Sequence, residues 1–127
     1  TFKSARCYLV DGEEVELTLF FEGDSGTDNS INFNIDIPEL PTVETIYTAA
    51  DDELQYCEVE IDYDEDAYTG YSAEMDWYDD EDSWVTISKS GDEYTVEFSV
   101  YVSESDSFED FDHFTGKYTG PVSVFNY

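Results

Sequence analysis

Apolar side chains recur at every second position along most of this chain. The clearest run is Ile31, Phe33, Ile35 and Ile37, alternating with Asn32, Asn34 and Asp36. A period of two sends one set of side chains to one face of an extended strand and the other set to the opposite face. The pattern therefore reads as a strand with a buried face and a wet face. It returns in Ala5, Cys7 and Leu9, in Val15, Leu17, Leu19 and Phe21, and in Cys57, Val59, Ile61 and Tyr63. It returns again in Tyr71, Ala73, Met75 and Trp77. Helical spacing is not sustained anywhere, and the strong helix formers Ala, Leu, Lys, Arg and Gln are scarce, which excludes a bundle.

Turn chemistry punctuates the runs. Asp11-Gly12, the polar stretch 23–29, the bracket of Pro38 and Pro41, Ser90-Gly91-Asp92 and Gly120-Pro121 each end one extended segment and start another. Short runs at 45–48, 84–88, 114–118 and 122–125 and a long one at 94–102 bring the count to about nine strands. No ten-residue helical segment separates any two of them, so no parallel βαβ unit fits. The expected fold is all-β, an antiparallel meander closed into a sandwich or a partly open barrel, with residues 1–127 as one domain. Across the Gly91 turn, Val85 and Ile87 should meet Val96 and Phe98.

Charge sets the limits on function. The 127 residues hold 33 Asp and Glu against 4 Lys and Arg, a formal net charge of −29. With no basic patch to hold phosphates, direct nucleic-acid binding is excluded. No apolar run is long enough for a membrane-spanning helix. Disorder is a poor reading, because 17% of the residues are aromatic and β-branched residues are frequent. Placed on the strands, the acids fall mainly at outward positions, and they imply stability that rises with salt. Solubility after export, life in high salt and cation collection all account for such a surface, and so does a cationic partner.

Several constellations carry chemistry. Asp62, Asp64 and Asp66 alternate as the oxygen ligands of calcium loops do, although Ala67 and Ala73 stand where an EF-hand needs Gly and Glu. Asp79, Asp80, Glu81 and Asp82 form a second acidic run between Trp77 and Trp84. A third segment, 104–112, mixes carboxylates with Phe108 and Phe111 and leads to His113; it suits either a cap over the core or a partner-binding tip. Tyr56, Tyr68, Tyr78 and Tyr101 are candidate exposed rings for sugar stacking. Cys7 and Cys57 stand in strand-like segments, where they form either a bridge across a long loop or two buried thiols. With His113 as the only histidine, a structural zinc site is not expected and no Ser/His/Asp set is assigned; Cys/His catalysis would need Cys7 or Cys57 beside His113, and both cysteines read as core-facing.

The second half also carries a resemblance. The run Val85-Thr86-Ile87-Ser88-Lys89-Ser90-Gly91-Asp92-Glu93-Tyr94-Thr95-Val96-Glu97-Phe98 and the closing Gly116-Lys117-Tyr118-Thr119-Gly120-Pro121-Val122 resemble segments of small secreted lipoproteins of Bacteroides-type bacteria. Tyr8 to Leu17, with Asp11-Gly12 at its turn, resembles their opening strand–turn–strand. Glu39-Leu40-Pro41 with Tyr47-Thr48 resembles their middle, with Thr45-Ile46 in place of a Gly. The resemblance implies export, a lipid anchor at the N-terminal side, an all-β fold and no enzyme activity. Together these readings give a lipid-anchored surface domain with a non-catalytic binding or structural role. The alternatives are an acidic inhibitor or decoy for a cationic protein, and a calcium-stabilised glycan-binding module.

Overall fold

The computed structural model describes residues 2–21, 28–51, 53–64, 69–74, 82–103 and 112–126. Ten strands occupy most of them: β1 (Phe2–Val10), β2 (Glu14–Phe21), β3 (Asp28–Ile35), β4 (Thr45–Thr48), β5 (Leu54–Asp64), β6 (Thr69–Glu74), β7 (Trp84–Ser90), β8 (Glu93–Val102), β9 (Asp112–Gly120) and β10 (Ser123–Asn126). No helix occurs among the described residues. The strands form two sheets, one in the order β10-β1-β2-β3-β5-β6 and one in the order β4-β7-β8-β9.

Alternation converts directly into rows of buried side chains. On the inner face of the six-stranded sheet, Cys7, Leu17, Phe33 and Cys57 stand side by side across four strands, all without exposure. A parallel row holds Ala5, Leu19, Ile31, Val59 and Ala73. The smaller sheet answers with Val85 opposite Phe98 and Ile87 opposite Val96, the pairing expected across the Gly91 turn. Phe33 of the larger sheet meets Phe98 of the smaller at 5.3 Å between ring centroids and 57° between planes. That tilted contact lies where the two inner faces join one core.

The row geometry decides the cysteine question. Cys7 and Cys57 lie in the same row with β2 and β3 between them, three strand spacings of about 4.8 Å, or about 14 Å, apart. A disulfide needs Cα atoms within about 7 Å. The bridge is therefore not made, and both cysteines are buried free thiols.

Local chemistry sets the connections. Between β1 and β2 the Glu13 amide donates to the Val10 carbonyl at 3.0 Å, closing the turn at Asp11. Between β7 and β8 only Gly91 and Asp92 intervene, and Gly91 adopts a φ of 62°, which a side chain resists. After β3, Pro38 and Pro41 deflect the chain and β4 joins the other sheet, so β3 pairs with β5 and not with its next neighbour. The fold is thus not a plain meander.

The sheets approach each other at two corners. At one, Glu74 of β6 and Ser103 just beyond β8 exchange backbone hydrogen bonds of 3.0 and 2.9 Å. At the other, the chain leaves β9 through Gly120-Pro121 and enters β10, which pairs parallel to β1. The Tyr118 hydroxyl donates to the Pro121 carbonyl at 2.6 Å, and a Cβ on Gly120 would stand 2.7 Å from that same hydroxyl. The closing Gly-x-Tyr-x-Gly-Pro segment is therefore a clasp: the tyrosine folds back over the glycine to hold the crossover.

Candidate functional site

The outer face of the four-stranded sheet is the most organised surface among the described residues. Because Val85, Ile87, Val96, Phe98 and Val100 point inward, the residues between them face out. Register then lines up Thr48, Trp84, Ser99 and Thr115 across all four strands. The adjacent row is Ile46, Thr86, Glu97 and Lys117, and below it Ser88, Thr95 and Thr119 stand together, with 3.2 Å between the Thr95 and Thr119 hydroxyls. Above the first row Tyr101 and His113 face each other across β8 and β9.

That pair is the ordered centre of the face. The His113 ring stacks on Tyr101 with centroids 4.3 Å apart and planes 5° from parallel. His113 Nε2 lies 2.6 Å from the Ser99 hydroxyl, which fixes the ring in its plane. Trp84 is the cross-strand neighbour of Ser99, so it sits diagonally from Tyr101, at about 7–8 Å. Ser83 secures this geometry from beneath. It is fully buried, its hydroxyl accepts from the Tyr101 amide at 3.0 Å, and its carbonyl accepts from the Ala49 amide at 3.0 Å. The result is a cluster of three aromatic residues bordered by hydroxyls. Asp82, exposed in the turn two residues before Trp84, lies at its edge.

The outer face of the six-stranded sheet is organised differently. The Thr18 hydroxyl donates to Asn32 Oδ1 at 2.7 Å, and Asn32 Nδ2 donates to Asn34 Oδ1 at 3.0 Å. Tyr56 was expected to be an exposed ring. Instead it is half-buried, its hydroxyl 2.9 Å from Glu58 and 2.8 Å from Glu74, which are themselves cross-strand partners. One phenolic proton serves two carboxylates. Burial and then the Glu74 and Glu58 carboxylates push the Tyr56 pKa upward, so the phenol stays a neutral donor.

The expected site residues distribute as follows. His113 and Tyr101 meet on the aromatic patch. Asp62 and Asp64 lie in the last three residues of β5, whose pairing with β6 is irregular between Ile61 and Asp64. Asp82 is exposed in the turn before β7. Asp66, Tyr68, Tyr78, Asp79, Asp80, Phe108 and Phe111 lie outside the described residues. Among the described residues no three His, Cys, Asp or Glu side chains converge as a metal set would. Both thiols are poor nucleophiles: burial raises the Cys7 pKa to about 11, and burial followed by Glu58 raises that of Cys57 further. Trp84 and Ser99 had not been singled out, although the inward Val85 and Ile87 already imply an outward Trp84.

No protein family matches the chain, and neither a curated protein nor a solved structure shows significant similarity to it.

Proposed function

We propose that this chain is an exported, lipid-anchored surface domain that binds a glycan without catalysis, and that its ligand lies on the outer face of the four-stranded sheet. The observation that carries this reading is the Tyr101–His113 stack, braced by Ser99 and set diagonally from Trp84 on a hydroxyl-lined sheet. Sugar rings present apolar C–H faces and equatorial hydroxyls. Aromatic faces accept the first, and a border of Ser and Thr accepts the second. Rigid strands hold the rings in place, so little conformational entropy is lost when a ligand arrives. Export and the anchor rest on the resemblance of the 85–98 hairpin and the 116–122 closing segment to secreted lipoproteins.

The charge narrows the ligand. A net charge of −29, with Asp82 exposed two residues before Trp84, repels uronate and sulfated polymers and favours neutral or amino-substituted glycans at this face. The test is calorimetric titration with a panel of neutral, amino and acidic oligosaccharides. Trp84→Ala and Tyr101→Ala should each weaken the best ligand at least about tenfold while leaving the fold intact. A ligand that binds both variants as tightly as the parent removes this face from consideration.

A second reading, an acidic decoy for a cationic protein, is favoured by the same charge. It predicts fast association with a steep salt dependence and little effect of Trp84→Ala. The two readings separate on that substitution.

A further inference from the structure

β4 is an outermost strand of the smaller sheet, with β7 as its one hydrogen-bonded neighbour. An outermost strand offers its unused backbone groups to any chain able to pair with it, and proteins commonly block such edges with lysines, prolines or bulges. β4 has none of these: its residues are Thr45, Ile46, Tyr47 and Thr48, and its register with β7 is unbroken. The two most exposed large apolar side chains among the described residues also lie here, Val43 at 72% just before the strand and Ile46 at 53% within it.

Backbone direction shows what β4 leaves open. Successive residues of a strand turn their N–H and C=O groups to opposite sides. The Ala49 amide donates to the Ser83 carbonyl at 3.0 Å, on the β7 side, so Tyr47 and Thr45 turn to β7 as well. Ile46 and Thr48 therefore turn away from it. The Thr48 carbonyl is taken by the Glu53 amide at 3.1 Å. The Ile46 N–H and C=O have no backbone partner on the outer side among the described residues.

Charge decides what can pair there. Residues 7–88, which include β2 to β6 and most of β7, contain no Lys or Arg. Glu44 precedes β4 and Asp51 follows it, both exposed. A second copy of the chain would bring another net charge of −29 to this edge and be repelled, whereas a basic segment is attracted. Side chains on one face of an added strand recur every second residue. An apolar residue opposite Ile46 thus carries its second neighbours diagonally toward Glu44 and Asp51.

We infer that the open edge of β4 docks an extended segment of a partner protein with the pattern basic-x-apolar-x-basic, which joins the smaller sheet as an antiparallel strand. The central residue exchanges two backbone hydrogen bonds with Ile46 and covers its side chain, and the basic residues meet Glu44 and Asp51. This edge is distinct from the ring cluster on the sheet's face, so the docking does not rest on the glycan reading.

The experiment is a backbone-amide nuclear magnetic resonance titration at low salt with the end-blocked peptide Thr-Lys-Thr-Val-Thr-Lys-Thr. The expected result is saturable shifts centred on Ile46 and Thr48, with slower solvent exchange of the Ile46 amide. Methylating the central Val nitrogen removes one of the two hydrogen bonds at unchanged charge, and should weaken binding at least about tenfold. A peptide of the same composition with its two lysines adjacent should also bind more weakly. On the protein, Ile46→Lys should close the edge, and Glu44→Lys should weaken binding at least about fivefold more than Glu13→Lys, the same charge change made at the exposed β1–β2 turn. Equal binding of the methylated or rearranged peptide, or equal effects of Glu44→Lys and Glu13→Lys, would show attraction by charge alone and overturn the inference. Shifts of Ile46 and Thr48 with protein concentration, before any peptide is added, would assign the edge to a second copy and overturn it too.

Discussion

Replacing Phe33 by Ala should reveal how far the two sheets depend on one contact. Phe33 has no exposure, and its ring packs against Phe98 across the core. Truncating a buried phenylalanine costs about 3–5 kcal/mol, the sum of lost transfer energy and the void left behind. The unfolding entropy is about 2.1 cal/mol/K per residue, which for 127 residues gives about 0.27 kcal/mol/K. The melting temperature should therefore fall by about 11–19 °C. Phe125→Ala is the control. That ring is 46% exposed on the four-residue β10, and its loss should cost under about 1 kcal/mol, or about 4 °C. Differential scanning calorimetry at one salt concentration measures both. A double-mutant cycle with Phe98→Ala should return a coupling of about 1 kcal/mol for the tilted ring pair. If Phe33→Ala falls no further than Phe125→Ala, or the cycle closes with no coupling, the two inner faces do not share a core.

Charge, buried phenols and buried thiols each set a further measurable outcome. Raising sodium chloride from about 0.05 M to about 0.5 M should raise the melting temperature by relieving self-repulsion, and calcium chloride at equal ionic strength should give the same rise if no specific calcium site contributes. Stability should hold below pH 9 and decline as pH rises through about 11: the unfolded Cys7 loses its proton near pH 9.0 while the folded thiol keeps it to about 11, and Cys57, Tyr56, Tyr47 and Tyr118 are shifted in the same upward direction; urea titrations at pH 8 and above would show it as a falling midpoint. Thiol reagents at pH 8 should label neither cysteine in the native protein and both after denaturation, and reductant should not move the melting temperature.

Much of the architecture was legible because its determinants are local. The pairing of Val85 with Phe98 and Ile87 with Val96 follows from two residues at a turn and a period of two. Strand order is another matter. Whether β3 neighbours β4 or β5 depends on where the chain goes after Pro38 and Pro41, and in β4 only Tyr47 is buried, too weak a signal to assign that strand to a sheet. The cysteine separation inherits that ambiguity, since it is set by the two strands that intervene. Alternation is also blind to direction, so the parallel pairing of β10 was not accessible. At the aromatic patch, His113 and Tyr101 could each be placed on an outward face, but their stacking depends on the β8–β9 register, fixed over a long acidic connection. Tyr56 went astray for a similar reason: its partner Glu74 arrives from β6, eighteen residues away.

The parallel pairing of β1 with β10 has a mechanical meaning. Arg6 lies beside Ser123 and Leu9 beside Asn126, so the two strands run the same way and the chain enters β1 and leaves β10 at opposite ends of the ladder. A pull applied between those ends drags β1 one way and β10 the other along their common axis. Every hydrogen bond of the pair is then loaded together in shear, whereas an antiparallel hairpin pulled at its open end peels one bond at a time. With the Tyr118 clasp securing the crossover behind it, this short edge would resist tension along the chain more than its four residues suggest.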